Sequence, residues 1–263
     1  MTIVRFLGEV IRDWKVLGLS FAIAGLRRRL TRRVISFRLD GRTVWVRGGE
    51  SDFHTLRQTL RDREYAVTPD LFTRQIAARY EAILAQGRTP VIVDAGANIG
   101  GASLWFADLF PRAAVLAIEP DPANLAILRR NVAACPNIAV IDAAIGAEAG
   151  FVALESNGPG WATQTHRASA GIAVVTVDDA LKSVPGGVLF QVKVDIEGFE
   201  KDLFATNTGW LDGVEAVHIE PHEWFLPGER TSLSFQKALC QRDFALLIRG
   251  ENLTFVASRA ADD

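Results

Sequence analysis

The sequence predicts an α/β fold built on a mostly parallel, doubly wound sheet, and three observations predict it. Five apolar runs of strand length, Val91–Ala95, Ala114–Ile118, Ile138–Ile141, Val188–Val194 and Val214–Ile219, carry the near-continuous hydrophobicity of strands covered on both faces. Stretches of helical spacing alternate with them, among them Ala102–Phe110 and Pro122–Ala134. Two last runs, Phe244–Arg249 and Leu253–Ser258, flank Gly250-Glu251-Asn252 and read as an antiparallel hairpin at the sheet edge. Strand–helix alternation with right-handed crossovers gives a doubly wound sheet. With 263 residues, 49% hydrophobic and 23% charged, the chain can bury a full core and falls outside the disordered, collagenous and coiled-coil classes.

Taken in order, the elements begin with an eleven-residue apolar stretch, Val16–Leu26, followed at once by Arg27–Arg33. It is too short for the ~20 residues of a membrane span, and a basic cluster stands where a signal peptide needs small residues. The first forty residues hold nine Lys/Arg and three Asp/Glu, a net +6, and the remainder carries −8. Two readings stay open: a peripheral contact of residues 16–33 with acidic lipid at the inner membrane surface, or an amphipathic helix packed on the main domain with its arginines solvated. Exposed apolar surface here would also suit a homodimer. Val34–Gly49 alternates around Asp40-Gly41 and predicts a hairpin. Phe53–Leu60 and Pro69–Leu84 predict helices, which Gln86–Pro90 stops. The chain therefore divides into an extension, residues 1–90, and a domain, residues 91–263. Gly158-Pro159-Gly160, within Ser156–Gly171, predicts a flexible insertion. A net charge of −2 offers no global field for nucleic acid. Cys135 and Cys240 form neither a disulfide framework nor a metal-site spacing, so a reducing, cytoplasmic compartment is expected.

The sharpest signal is Val91–Ser103, VIVDAGANIGGAS, a buried strand running into a small-residue turn that opens a helix. Gly96 and Gly100 permit a tight turn and close ligand approach at the carboxyl end of a strand, where open α/β sheets bind ligands. Asn98 stands where a dinucleotide fingerprint has its second glycine, which argues against a nicotinamide oxidoreductase, and there is no P-loop. Asp94 suits an ammonium group better than phosphates, and Glu119, at the next strand end, is placed to take both ribose hydroxyls. An adenosine bearing an amino acid is S-adenosylmethionine.

Several separated segments resemble the FkbM family of S-adenosylmethionine-dependent methyltransferases: Ser51–Tyr65, Val91–Ser103, Ala117–Asn131 and Val192–Phe204. The last, with Lys193-x-Asp195-x-Glu197-Gly198-x-Glu200, is the most specific, and Val217–Trp224 looks like the family's acid-containing fifth strand end. The resemblance covers roughly residues 45–258 and implies the Rossmann-like class I methyltransferase fold, with seven strands, and methylation of hydroxyl oxygens. It places Asp94, Gly96, Asn98 and Gly100 under the methionine part, Glu119 on the ribose, and Pro120 and Asp121 near the adenine. Asp142 either reaches the adenine amino group or is a solvated strand-end acid. Asp195 is shared between cofactor and chemistry.

Methyl transfer from a sulfonium is an in-line displacement, in which the protein aligns nucleophile and methyl and excludes water. A hydroxyl needs a base or a metal to take its proton. Asp195 and Glu197 follow the fourth strand; His218, Glu220, His222 and Glu223 lie on or after the fifth. Two mechanisms fit: His222 or Asp195 as general base, or Asp195, Glu220 and His222 around Mg²⁺, Mn²⁺ or Fe²⁺. The catalytic candidates are thus Asp195, Glu197, Glu220 and His222. Lys193 is expected to pair with Glu197 or Glu220, Glu200 to begin a helix, His54 and His166 to lie on the surface, and Trp161 to serve as a lid or an anchor. The expected acceptor is a hydroxyl of a small molecule, sugar or glycolipid, or secondary metabolite, with the extension as substrate cap. Nucleic-acid or protein methylation and a non-catalytic membrane scaffold are the competing readings. The first lacks the N/D-P-P-Y/F loop, for that position reads Asp195-Ile196-Glu197-Gly198.

Overall fold

The computed structural model describes residues 3–156, 163–224 and 226–258. The extension comprises α1 (Ile3–Arg27), the hairpin of β1 (Val34–Leu39) and β2 (Arg42–Arg47), α2 (Asp52–Leu56) continued by a π-turn over Arg57–Arg61, and α3 (Asp70–Ala85). Asp40 and Gly41 both take positive φ (47° and 81°), which lets two residues close the hairpin with the strand twist preserved. The N-terminal helix is not continuous: Gly18 (φ 85°, ψ 169°) breaks it into two arms. The Arg29 guanidinium lies 4.3 Å from the Phe6 ring, so the arms fold back toward one another.

The domain follows as β3 (Thr89–Ala95), α4 (Gly101–Leu109), β4 (Ala114–Glu119), α5 (Pro122–Val132), β5 (Ile138–Asp142), β6 (Ala144–Ile145), β7 (Gly150–Ser156), β8 (Thr163–Ala168), β9 (Ile172–Val175) and α6 (Val177–Lys182). Then come β10 (Gly187–Val194), α7 (Glu200–Leu203), β11 (Ala216–Ile219), α8 (Leu233–Leu239), β12 (Phe244–Arg249) and β13 (Asn252–Ala257). Seven strands form the central sheet in the order β12-β13-β11-β10-β3-β4-β5. β13 runs antiparallel to both neighbours, and the other pairings are parallel. This is the class I methyltransferase arrangement, with the chain winding outward in both directions from β3 and β10. A crevice opens there, beyond the carboxyl ends of the strands.

One face of the sheet packs Val91, Val93 and Val194 against Trp210 and Phe235. The other packs Ile92 and Phe190 against Phe106, Phe110 and Tyr80 of the extension. A third cluster joins Phe21, Phe37 and Phe53 of the extension to Ile99 and Ile127 of the domain. The core therefore runs unbroken across Pro90, which is itself buried within β3.

Of the flexible insertion expected over Ser156–Gly171, the structure corrects the part from Thr163 to Ala168, which is a strand. β7 and β8 pair antiparallel from Phe151↔Ala168 to Ser156↔Thr163, within a second sheet ordered β6-β9-β7-β8. Thr163–Ala168 (TQTHRA) has almost no apolar signal because β8 is an edge strand whose described side chains are half-buried or exposed. Gly158, Pro159, Gly160 and Trp161, and with them the lid or anchor reading, lie outside the described residues.

Candidate active site

The loop after β3 is shaped by contacts that only small or left-handed residues allow. Gly96 has φ 75°, and a Cβ there would stand 1.8 Å from the Asp195 carbonyl oxygen. Asn98 also takes positive φ (51°) and donates its backbone N–H to Glu119 Oε2 at 2.8 Å. Glu119 is buried and accepts at Oε1 from the Asp121 N–H (2.9 Å) and the Asn124 side chain (3.1 Å). Burial pushes its carboxyl above the ordinary range, although those hydrogen bonds oppose the shift. Asp121 caps α5 by accepting from Ala123 and Asn124 N–H.

A cleft is bounded by Gly96, Asn98, Glu119, Pro120, Asp121 and Asp195, with Leu154 and Thr165 of the second sheet and Phe199 opposite. On its wall Asn98 Oδ1 is buried without a hydrogen-bond partner in the protein. Asp94 lies beneath this wall: it accepts from Ser103 Oγ at 2.5 Å and faces the Lys193 ammonium at 3.3 Å. Gly100 opens α4, where a Cβ would stand 2.7 Å from Leu128 Cδ1. Asp142 is exposed, pairs with Arg129 at 3.1 Å and leaves the cleft wall to Ala143, Ala144 and Ile145.

A second cleft of about 500 Å³ meets the first at Gly96, Asn98, Asp195 and Glu197. Its remaining wall brings Glu220 and His222, from the exit of β11, opposite Glu64 and Tyr65 of the extension. His222 is buried; Nδ1 lies 3.0 Å from Glu200 Oε1, and Nε2 lies 3.5 Å from both Asp195 Oδ1 and Glu197 Oε2. Burial alone would lower its pKa, but the Glu200 hydrogen bond and charge, then Asp195 and Glu197, hold it up at about 10. The ring is therefore an imidazolium at neutral pH. Burial, then the Asp195 charge, push both Glu197 and Glu220 up to about 8. Glu64 is pushed up to about 7, again chiefly by burial and then by Asp195. Asp195, Glu220 and His222 each offer an atom within 4.8 Å of the others, so these three could hold a divalent cation.

Lys193 does not pair with Glu197 or Glu220. It points under the loop, donating to the Gly96 carbonyl at 2.7 Å and facing Asp94 and Asp195, because a β10 side chain at that register reaches across to β3. Burial lowers its pKa, but those acids outweigh burial and hold the amine above its ordinary value. Glu200 begins α7 as expected and is also the buried partner of His222. His218 is sequestered from the cluster, bonded to Thr254 and Gln191 at 3.0 Å each. His54 lies on the outer wall of the second cleft, bonded to Gln58, and His166 is exposed. Sequence reasoning gave no role to Glu64, Tyr65 and Glu251, which reach the second cleft from remote segments. The first two close the Ser51–Tyr65 segment that carries part of the family resemblance, a signal that could have pointed to them.

Forty-four residues are 52% identical to a segment of the methyltransferase sdnD of Sordaria araneosa, a match that spans 17% of each chain. Among solved structures, a precorrin-6y C5,15-methyltransferase from Geobacter metallireducens GS-15 is 11% identical, covering 68% of this chain and 87% of its own at a TM-score of 0.39. A putative caffeoyl-CoA O-methyltransferase from Staphylococcus aureus, also 11% identical, covers 77% of this chain and 90% of its own at the same TM-score. The methyltransferase FkbM domain model matches residues 94–234, from the buried acid of the first domain strand to the helix after His222, which is more than half of the 263 residues. The chain belongs to the FkbM methyltransferase family.

Proposed function

We propose that this protein transfers the methyl group of S-adenosylmethionine to a hydroxyl oxygen of a small-molecule, sugar, glycolipid or secondary-metabolite acceptor. One observation carries the reading: the glycine-loop cleft and the acidic cleft share Asp195 and Glu197 as a common wall. A methyl donor in the first would meet a nucleophile in the second at those two carboxylates.

The residues present fit the cofactor. Asn98 lines the cleft, and its enclosed side-chain oxygen, without a partner in the protein, is an acceptor left open for a cofactor amino group. Glu119 accepts three hydrogen bonds from the protein and retains capacity for a ribose hydroxyl. When bound, S-adenosylmethionine supplies the electrophilic methyl. The chain aligns the acceptor and removes its proton. Glu197, which lines both clefts, is the proton acceptor in its ionised form. Burial and the Asp195 charge raise its pKa to about 8, so that form grows as pH rises from neutrality toward 8. His222, already protonated, is a positioning cation that keeps Asp195 and Glu197 apart from one another's charge. A divalent cation at Asp195, Glu220 and His222 is a second reading, favoured by their mutual spacing. Glu64, Tyr65 and Thr59 make the extension one wall of the acceptor cleft, in keeping with a substrate cap.

S-adenosylhomocysteine, and neither NAD⁺ nor NADP⁺, is expected to raise the melting temperature by several degrees at ~100 times its dissociation constant, a gain of ~2.7 kcal/mol. Glu119→Ala abolishes that shift. Against hydroxyl-bearing acceptors, Glu197→Gln lowers turnover by ~100-fold or more while the shift persists. A shift with a dinucleotide alone sinks the reading. Turnover lost on chelation and restored by Mg²⁺ or Mn²⁺ supports the cation; turnover indifferent to chelation leaves the carboxylate alone.

A further inference from the structure

We propose that the two arms of α1 form a surface that lies on an anionic lipid bilayer. In the first arm Leu7, Ile11 and Trp14 recur at i, i+4 and i+7, each about half exposed. In the second, Leu19, Ile23 and Leu26 repeat that spacing, and Leu30, in the turn just after the helix, is 87% exposed. With Val16, these make up half of the exposed large apolar side chains among the described residues.

The charges of the same arms are sorted by face. Their two acids turn inward: Asp13 is buried against Arg57 and Arg61, and Glu9 pairs with Arg61 at 2.6 Å. Phe21 and Ala24 turn inward as well, into the third core cluster. The exposed charges that remain are cationic: Arg12, which pairs with Asp62, Lys15 and Arg27 on the arms, and Arg29, Arg32 and Arg33 in the turn that follows α1. Apolar stripes flanked by cations match the boundary between acyl chains and anionic headgroups, and Trp14 suits that boundary. No helix among the described residues is long and apolar enough to cross a membrane, so the arms lie along the surface. A second copy of the chain is the other candidate occupant, but it would bring two sets of these cations together while the acids stay turned away.

The test is co-sedimentation of the full chain with vesicles of phosphatidylcholine alone and of phosphatidylcholine mixed with phosphatidylserine, with light scattering in their absence. Binding to the anionic vesicles is expected, falling with added salt and weak on neutral ones. Arg27→Glu with Arg29→Glu lowers the bound fraction by about tenfold or more, since each cation near an anionic surface contributes about fivefold. Leu30→Asn, at a site that touches little of the core, weakens binding with an unchanged melting temperature, which separates loss of the surface from loss of the fold. Equal sedimentation with and without anionic vesicles overturns the proposal. So does a dimer that ignores vesicles and dissociates on Leu30→Asn, which would make a second copy the occupant.

Discussion

His218 and His222 stand four residues apart at one strand end, and their surroundings drive them in opposite directions. His218 is enclosed by the rings of Tyr65 and Phe106, and burial pushes it down to about 3, so it stays neutral. The unfolded chain takes up a proton near 6.5 that the folded chain refuses, so stability falls as pH drops from about 6.5 toward about 3. Between pH 6.5 and about pH 5 this group alone removes about 2 kcal/mol, which urea unfolding at the two pH values measures, and His218→Gln flattens the slope. His222 shows the reverse sign. Held at about 10 in the fold, it contributes stability fully present below its ordinary 6.5 and lost as pH rises through about 10. Glu200 is the principal source of that elevation, and its Oε1 also accepts from the Ile196 and Gly198 amides at 3.3 Å. Glu200→Gln keeps an acceptor for those amides and removes the charge. We expect the His222 titration, followed by NMR, to move down and turnover to fall by up to ~100-fold as Asp195 and Glu197 lose their aligning cation.

At the scale of elements, the loop between β3 and α4 is where local sequence decides most. Gly96→Ala forces a Cβ onto the Asp195 carbonyl at 1.8 Å and should cost about 2–4 kcal/mol and the S-adenosylhomocysteine shift with it. Gly87→Ala, at φ 68° with open space around it, should cost only about 1 kcal/mol and leave ligand binding intact. Equal losses at the two sites would mean that φ alone, and not the fit of loop against β10, is what Gly96 supplies. The same locality explains what could be read in advance. Val91–Ser103 announces strand, turn and helix within thirteen residues, and the seven strands of the central sheet carry their own hydrophobic signal. β8 announces nothing, because its pairing is provided by β7 across the hairpin and its described side chains are half-buried or exposed. Glu64 could not be placed either: only the docking of the extension puts its carboxyl beside Asp195 and Lys193. The hairpin so hidden is pinned at Arg167, which bonds Asp202 at 2.6 Å and lies over the Phe199 ring. Arg167→Ala is expected to weaken cofactor binding severalfold, measured calorimetrically, with little change in melting temperature; an unchanged affinity would free the hairpin from any part in the cleft.

Over the whole molecule, the question is whether the extension is an attachment to the methyltransferase domain or part of its cooperative unit. The packing argues for the second. Phe21 is fully buried, 4.3 Å from the Phe53 ring and 5.4 Å from the Phe37 ring, in a cluster that includes Ile99 beside the glycine loop and Ile127 on α5. Asn131 of α5 ties the same region together, bonding both the Trp45 backbone and the Ile99 carbonyl. The α1 arms thereby support the loop that shapes the first cleft, while α2 and its π-turn, on which they rest, line the second cleft through His54, Gln58 and Thr59. Phe21→Ala therefore removes about 3–5 kcal/mol, as a fully enclosed aromatic does, and lowers the melting temperature by roughly 6–20 °C. Because the cluster spans both parts, calorimetry should show one transition, shifted as a whole. Two transitions, with the larger unmoved by the substitution, would show that the extension melts on its own, leaving the two clefts to be held open by the domain alone.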